Sequence, residues 1–356
     1  MRPKSLEFLR NLLETPSPSS GEAAGQRVWL DYVSEFADET GSDAYGNSWA
    51  ILNPQGSPRI LVVGHSDEIA FQIQYISEEG FIYFAPVGGP DPALARGQRV
   101  HIHHEGKKTL GVIGSLAVHM QERDKKPEVP AWHDLFIDIG AKNRKEAEKR
   151  AAVGDLITYT VGFEQLSGDV YTARACDNRV GTFVASETLR LASEAKGKLN
   201  ACLIAVSTIQ EENGLYGASM VGYSLRPDAA VVVDVGHATD MPLANAKRFG
   251  DIKLGKGPIL NRGSVNHPVL VDRLAKAAKA KKIDIQHSID SRWSGTDADA
   301  IFRQRGGVPT AALGIPNRYM HSPIEVIDLG DLVTLSEWLA HFAAGVKAGE
   351  DFKVKI

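Results

Sequence analysis

The stretch "AVSTIQEENGLYGAS", Ala205 to Ser219, joins a continuous apolar run to two adjacent carboxylates, Glu211 and Glu212. A run of that kind reads as a strand in a sheet covered on both faces. Two neighbouring negative charges at the end of such a strand repel each other and gain nothing from packing. The fold class follows from the strand, and the function from whatever stabilises the charges.

Working outward, "RILVVGH" (59–65), "ACLIAVST" (201–208), "AAVVVDV" (229–235) and "VPTAALGI" (308–315) have the same buried-strand character. Helical patterns lie near 178–194, 267–282, 296–305 and 331–348. Alternation of this kind predicts an α/β fold with a mixed, mostly parallel sheet flanked by helices. "SWAIL" (48–52) is a further strand. Two helices open the chain. In the second, Trp29, Tyr32, Val33 and Phe36 give one apolar face, and Ser19 with Glu22 fit a capping box.

Between about 70 and 164 the texture changes. "FQIQYI", "GFIYFAPV", "RVHIHH", "TLGVIGS" and "LITYTV" are short segments broken by Gly and Pro, interrupted by one helix near 143–151. That pattern predicts an all-β, barrel-like domain (70–164) inserted into an α/β domain formed by 1–69 and 165–356.

The 356 residues carry a net charge of −4, with 43% hydrophobic and 24% charged residues, which is ordinary for a globular protein. Basic stretches such as "KNRKEAEKR" (142–150) are interleaved with Glu, so no nucleic-acid footprint is expected. No apolar run approaches the roughly 18 residues of a membrane span, and the N-terminus has no signal-peptide pattern. A cytoplasmic location is expected, with Cys176 and Cys202 reduced and buried.

In open α/β sheets, sites lie beyond the carboxyl ends of the strands. The polar residues delivered there are His65 and Asp67, Asp177, Glu211 and Glu212, Asp234, and His321. Carboxylates gathered at one edge raise each other's pKa unless a cation neutralises them. Imidazole and carboxylate together suit zinc, with cobalt or manganese as alternatives. Excess carboxylate with no cysteine pattern favours two catalytic metals about 3.5–4 Å apart over one structural zinc. One carboxylate of the Glu pair can then bind metal while the other takes a proton from water. Asp67, two residues from His65, can accept the imidazole N–H that the metal does not use.

With these residues in view, the chain resembles the tetrahedral (TET) aminopeptidases, a glutamyl aminopeptidase-like family of dinuclear metallo-aminopeptidases. The likeness runs almost end to end. It is carried by "GHSDEIA" (64–70), "IDIGAKNRKEAEKRAAVGD" (137–155), "RACDNRVG" (174–181), "QEENGLYGA" (210–218), "VDVGHATDMP" (233–242), "LGKGP" (254–258), "SGTDADAI" (294–301) and "RYMHSPIEVIDLGDL" (318–332). The resemblance implies that Asp177 bridges two divalent metal ions per subunit. It implies that His65 and Asp234 complete one site, and Glu212 and His321 the other. Glu211 is the implied general base, Asp67 orients His65, and the peptide between Asp177 and Asn178 is cis. It also implies a dimerisation role for the inserted domain, with dimers assembling into dodecamers. Ser66 stands where Met is common, and Asp299 where Gly is expected; Asp299 would add charge near the cleft.

The function read from all this is hydrolysis of the N-terminal residue of short peptides. The alternatives are a metal-dependent N-acyl deblocking enzyme or deacylase, and an endoglucanase-type glycosidase. Adjacent carboxylates are poorly placed to flank a sugar bond. His101, His103 and His104 read as surface or interface residues. His237 and Asp240 shape a loop, and "LGKGP" is a turn near the cleft.

Overall fold

The computed structural model describes residues 1–120, 128–195 and 199–356. The chain opens with helices α1 (Pro3–Glu14) and α2 (Ala23–Val33), then strands β1 (Glu39–Ser42), β2 (Ser48–Leu52) and β3 (Arg59–His65). Strands β4 (Ala70–Ile76), β5 (Ile82–Val87), β6 (Arg99–His104), β7 (Lys107–Gly114), β8 (Phe136–Asp138) and β9 (Leu156–Tyr159) follow. Short helices α3 (Pro92–Ala95) and α4 (Arg144–Ala147) lie among them. The remainder runs β10 (Glu164–Ser167), β11 (Val170–Ala173), α5 (Cys176–Glu194), β12 (Cys202–Thr208), α6 (Tyr216–Ser224), β13 (Ala229–His237), α7 (Ala246–Phe249) and β14 (Ile259–Arg262). It ends with α8 (Pro268–Lys281), β15 (Gln286–Ile289), α9 (Ala298–Ile301), β16 (Thr310–Asn317), β17 (Glu325–Asp328) and α10 (Leu329–Ala344).

Eight strands form a mixed sheet in the order β1-β2-β12-β3-β13-β16-β14-β15. The central strands β12, β3, β13 and β16 pair in parallel. Their apolar runs are continuous because both faces are covered. Ile60, Val62, Ala205, Val231 and Leu313 pack into the core under α1, α2, α5, α8 and α10. Leu61, Val63, Ile204, Val232 and Ala312 face the opposite way, toward α6 and α9. This alternation within an unbroken hydrophobic run is the signature of a doubly covered strand.

The six strands β4-β5-β8-β7-β6-β9 close into a barrel with its own core, including Phe71, Ile82, Val100, Ile102, Ile137 and Ile157. A three-stranded antiparallel sheet, β10-β11-β17, pairs the two strands that follow the barrel with the strand that precedes α10.

Three local expectations are corrected. Ser19 and Glu22 form no capping box: α2 begins at Ala23, and Glu22 has no capping bond to it. Ser19 Oγ donates instead to Asp67 Oδ2 (2.6 Å), and Glu22 Oε1 accepts from Gln210 N (3.1 Å). Both polar groups are therefore used by long-range contacts, which outcompete the local cap. The helix near 143–151 is only the one turn of α4, and Ala147 and Ala151 are both buried in the barrel core. The helix near 296–305 shortens to α9.

Among the described residues no helix is long and apolar enough to cross a membrane. Both cysteines are free and buried.

Candidate metal centre

The approach of α5 to the sheet brings the first acid to the strand ends. A Cβ on Gly64 would sit 2.4 Å from the backbone of Gly181, and one on Gly181 would sit 2.6 Å from Val233 O. Only glycine at both positions lets the helix lie this close to β3 and β13. Asp177 is thereby carried to the end of β3, across a cis peptide to Asn178, as the resemblance implied. Buried Arg179 ties the helix to its surroundings, donating to Leu12 O (2.6 Å) and pairing with Glu68. Glu68 pairs also with Arg174.

The strand register aligns the rest. His65 ends β3 opposite Thr208, the last residue of β12. Asp234 lies on β13 opposite Gly314 of β16. Beyond β12 the chain turns at Gln210, which has a left-handed φ of +51°. That reversal, just ahead of the pair, points Glu211 and Glu212 into one cleft. Asp67 fixes the turn: Oδ1 accepts from Glu211 N (3.0 Å) and Oδ2 from Glu212 N (3.2 Å).

All six of His65, Asp177, Glu211, Glu212, Asp234 and His321 line one cavity of about 1150 Å³. Asp177 spans its centre, with Oδ1 3.2 Å from His65 Nε2 and Oδ2 3.4 Å from His321 Nε2. His65 Nε2 also lies 3.7 Å from Glu211 Oε2 and 3.9 Å from Asp234 Oδ1. His321 Nε2 lies 3.5 Å from Glu212 Oε2.

Both imidazoles turn Nε2 into the cluster. His321 Nδ1 lies 3.1 Å from Gly89 O, just past the barrel strand β5; a carbonyl only accepts, so Nδ1 carries a proton and Nε2 is the nitrogen turned to the cluster. His65 Nδ1 is 3.3 Å from Asp67 Oδ1, but out of line for a hydrogen bond. Asp67 thus holds the backbone of the two glutamates more firmly than it holds the imidazole named in the sequence reading.

The electrostatics show what is missing. Burial pushes Glu211 up to about 10, with the charge of Asp234 adding to the effect. Burial and the charge of Asp177 push Glu212 up to about 8. Asp234 rises well above the ordinary range, again through burial and Asp177. Asp177 alone of the four is held low: burial acts against it, but the two imidazoles, His321 and His65, facing its oxygens outweigh burial. His321 rises to about 10 through its contact with Asp177. Four buried carboxylates share two imidazoles, and Glu212 Oε1 has no partner at all. Two overlapping groups, His65–Asp177–Glu212 and His65–Glu211–Asp234, each bring their ligand atoms within 4.8 Å of one another. The donor set therefore fits divalent cations, which supply the positive charge the cluster lacks.

Two acids escaped the sequence reading. Asp297 is buried beside the cluster, accepts from Thr208 Oγ1 (2.5 Å) and leaves Oδ1 unpartnered. Glu325, also buried, accepts backbone N–H groups of two cluster residues. Neither follows a long apolar run, so no strand-end rule points to it.

Another expectation changes. Asp299 does not face the main cleft; it accepts from Ser294 N and Gly295 N and borders a separate cavity with Trp293 and Arg303. The "LGKGP" turn lies near the cleft as expected, between the lining residues Ile252 and Ile259, and its Gly255 N and Gly257 N both donate to Asp331 (2.8 Å). Asp240 pairs with Arg318 (2.7 Å), and His237 lines the cavity. On the barrel, His103 is 2.9 Å from Thr158 Oγ1 and His104 is 2.8 Å from Asp155 Oδ2.

Residues 46–337 match the family model for M42 glutamyl aminopeptidase. The lysyl aminopeptidase of Pyrococcus furiosus is 30% identical over 331 residues, covering 92% of this chain and 93% of the relative. The TET aminopeptidase of a Thaumarchaeota archaeon superposes with a TM-score of 0.92 at 31% identity, over 96% of this chain and 97% of that one. The TET1 peptidase of Pyrococcus horikoshii, which can assemble into a tetrahedron or a large octahedral shell, superposes with a TM-score of 0.83 at 29% identity, over 96% of this chain and 100% of that one. The sheet and the barrel thus recur in solved aminopeptidases, and the chain belongs to the M42 glutamyl aminopeptidase family.

Proposed function

We propose that the protein removes N-terminal residues from short peptides with two divalent metal ions and a glutamate base. Asp177 would bridge the ions. His65 and Asp234 would complete one site, and Glu212 and His321 the other. The observation that carries this reading is Asp177, whose two oxygens face the two imidazole Nε2 atoms at 3.2 and 3.4 Å. Zinc suits this donor set, and cobalt or manganese could replace it.

When bound, such ions lower the pKa of water and polarise a carbonyl. The chain's own part is to move the proton and hold the geometry. Glu211 Oε2 faces the cluster from the other side of His65 and takes a proton from the attacking water, then returns it to the leaving amine nitrogen. Asp67, bonded to both glutamate backbones and to Ser19, keeps Glu211 and Glu212 on their separate tasks. The remaining cavity walls, including Ile259, Ile289 and Met320, receive the substrate's side chains.

Elemental analysis of fully loaded protein, set beside hydrolysis of aminoacyl-p-nitroanilides before and after chelation, tests the reading. Two metals per chain and loss of activity on chelation are expected. Activity that survives complete metal removal would overturn it. Free and N-acetylated peptides assayed side by side separate an aminopeptidase from a deblocking enzyme, with preference for the free amine expected. The likeness to assembling TET peptidases supports a homo-oligomer, and a dodecamer built from dimers that join through the inserted barrel domain (70–164) is the arrangement proposed.

A further inference from the structure

Glu325, the first residue of β17, is 1% exposed. Among the described residues it has no Lys or Arg partner. Antiparallel pairing of β17 with β11 sets it opposite Ala173, four residues before Asp177, and it lies four residues after His321. Its carboxylate fills the space between those two segments. Oε2 accepts from Asp177 N (3.0 Å), and Oε1 accepts from His321 N (3.1 Å).

One side chain therefore joins the backbones of two residues far apart in sequence, both of which turn their side chains into the cluster. The His321 end needs such a hold. Its φ is +60°, a left-handed conformation that non-glycine residues adopt only when their surroundings fix it. Two anchors do so: Glu325 on the backbone N–H, and Gly89 O on the ring Nδ1. Both Glu325 oxygens act as acceptors. A glutamine, which has one acceptor oxygen and one amide NH2, would set a donor against one of the two N–H groups.

We propose that Glu325 is a positioning residue of the metal centre, whose carboxylate fixes the separation of Asp177 and His321 and so forms the site that those two residues share with Glu212. The inference rests on the two-metal reading given above. Glu325 touches neither substrate nor metal in this role. It acts through the two backbones, and its effect belongs to one site more than to the other.

The test is a cobalt or zinc titration, by calorimetry and elemental analysis, of chelated wild-type protein and chelated Glu325→Gln. Wild type is expected to take two ions. Glu325→Gln is expected to keep one site close to wild-type affinity and to lose about 10- to 100-fold at the other. The kcat of the loaded variant should fall more than its KM rises. Wild-type uptake of two ions with unchanged affinities at both sites in Glu325→Gln would overturn the assignment of Glu325 and leave the two-metal reading standing. Wild type taking up no ions would overturn both. A generally structural role would instead lower the melting temperature of the metal-free variant and weaken both sites equally, which also counts against the proposal.

If Glu325→Gln fails to fold, hydrogen exchange of the wild-type His321 amide decides, since the Arg318 and Val326 amides are held by each other's carbonyls. Protection of the His321 amide in metal-free protein is expected, because Glu325 and not the metal holds it. Exchange of that amide at the rate of an open loop until metal is added would sink the proposal.

Discussion

Glu211 and Glu212 are neighbours in sequence, and substitution separates the duties proposed for them. Glu211→Gln keeps the side chain's size and removes its capacity to take a proton. Metal content should stay at the wild-type level while kcat/KM falls by about 10²- to 10⁴-fold, the usual worth of a positioned general base. Glu212→Ala removes a carboxylate facing His321 at 3.5 Å, so the loaded protein should lose one ion by elemental analysis. Asp67→Ala acts differently. It leaves the buried N–H groups of Glu211 and Glu212 without their acceptor. About 1–3 kcal/mol of stability should be lost for such orphaned donors, read by thermal unfolding of the chelated protein. Near-full activity in Glu211→Gln would show that another group moves the proton. These roles were partly legible in the residues themselves. The strand-end rule located His65, Glu211, Glu212 and Asp234. It had no means of finding Glu325 or Asp297, whose positions depend on pairings and turns with no local pattern.

At the scale of elements, α5 decides the most. It is buried along nearly its whole length despite carrying Asn178, Arg179, Thr182, Glu187 and Arg190. Each of these has a partner: Thr182 and Arg190 within the helix, and Asn178, Arg179 and Glu187 outside it, where they fix the helix in place. Glu187 receives Arg190 at 2.8 Å, Ser5 Oγ at 2.9 Å and the Tyr32 hydroxyl, joining α5 to α1 and α2. Burial alone would raise the Glu187 carboxyl, but the Arg190 and Tyr32 hydrogen bonds outweigh it and hold the group below its ordinary value of 4.5. A depressed carboxylate contributes stability that is fully present above the unfolded-state value and is lost as pH falls through the folded-state value. Glu187→Gln should therefore cost about 2 kcal/mol near neutral pH. The gap in melting temperature between wild type and variant should narrow on acidification from about pH 6 to pH 3. A constant gap would mean that packing, not charge, is what the substitution removes. The polar residues on α5 disguise it as a surface helix in the sequence. Its burial becomes intelligible only when α1 and α2 supply the partners.

Across the whole molecule, the charge excess in the cavity couples metal binding to stability. Glu211, Glu212 and Asp234 are all raised by burial and by neighbouring carboxylates, Asp177 among them for the last two, so at neutral pH the metal-free fold either holds protons there or carries repulsion. Ions that bind the folded state alone stabilise it by mass action. Chelation at pH 7.5 should lower the melting temperature, and reloading with zinc or cobalt should restore it. Retention should be weaker after dialysis at about pH 5, because imidazole and carboxylate ligands must lose their protons to bind. Equal metal content at the two pH values would count against imidazole ligation. The barrel shares in the site as well, since Gly89, just beyond β5, orients His321. For the proposed dodecamer, light scattering should give about twelve chain masses; a monomer with full activity would detach catalysis from assembly.

The sequence by itself determined the doubly covered sheet and the inserted barrel, because continuous and interrupted apolar runs are local facts that burial enforces wherever the chain goes. It determined most of the acidic and imidazole cluster for the same reason: a strand's end is written where its apolar run stops. Only the tertiary structure decided which carboxylate oxygen meets which imidazole, that Ser19 and Glu22 serve the cleft and not a helix cap, and that Glu325 ties Asp177 to His321. Those outcomes depend on distances between segments far apart in the chain, and a hydrogen bond across such a distance leaves no periodicity for the sequence to display.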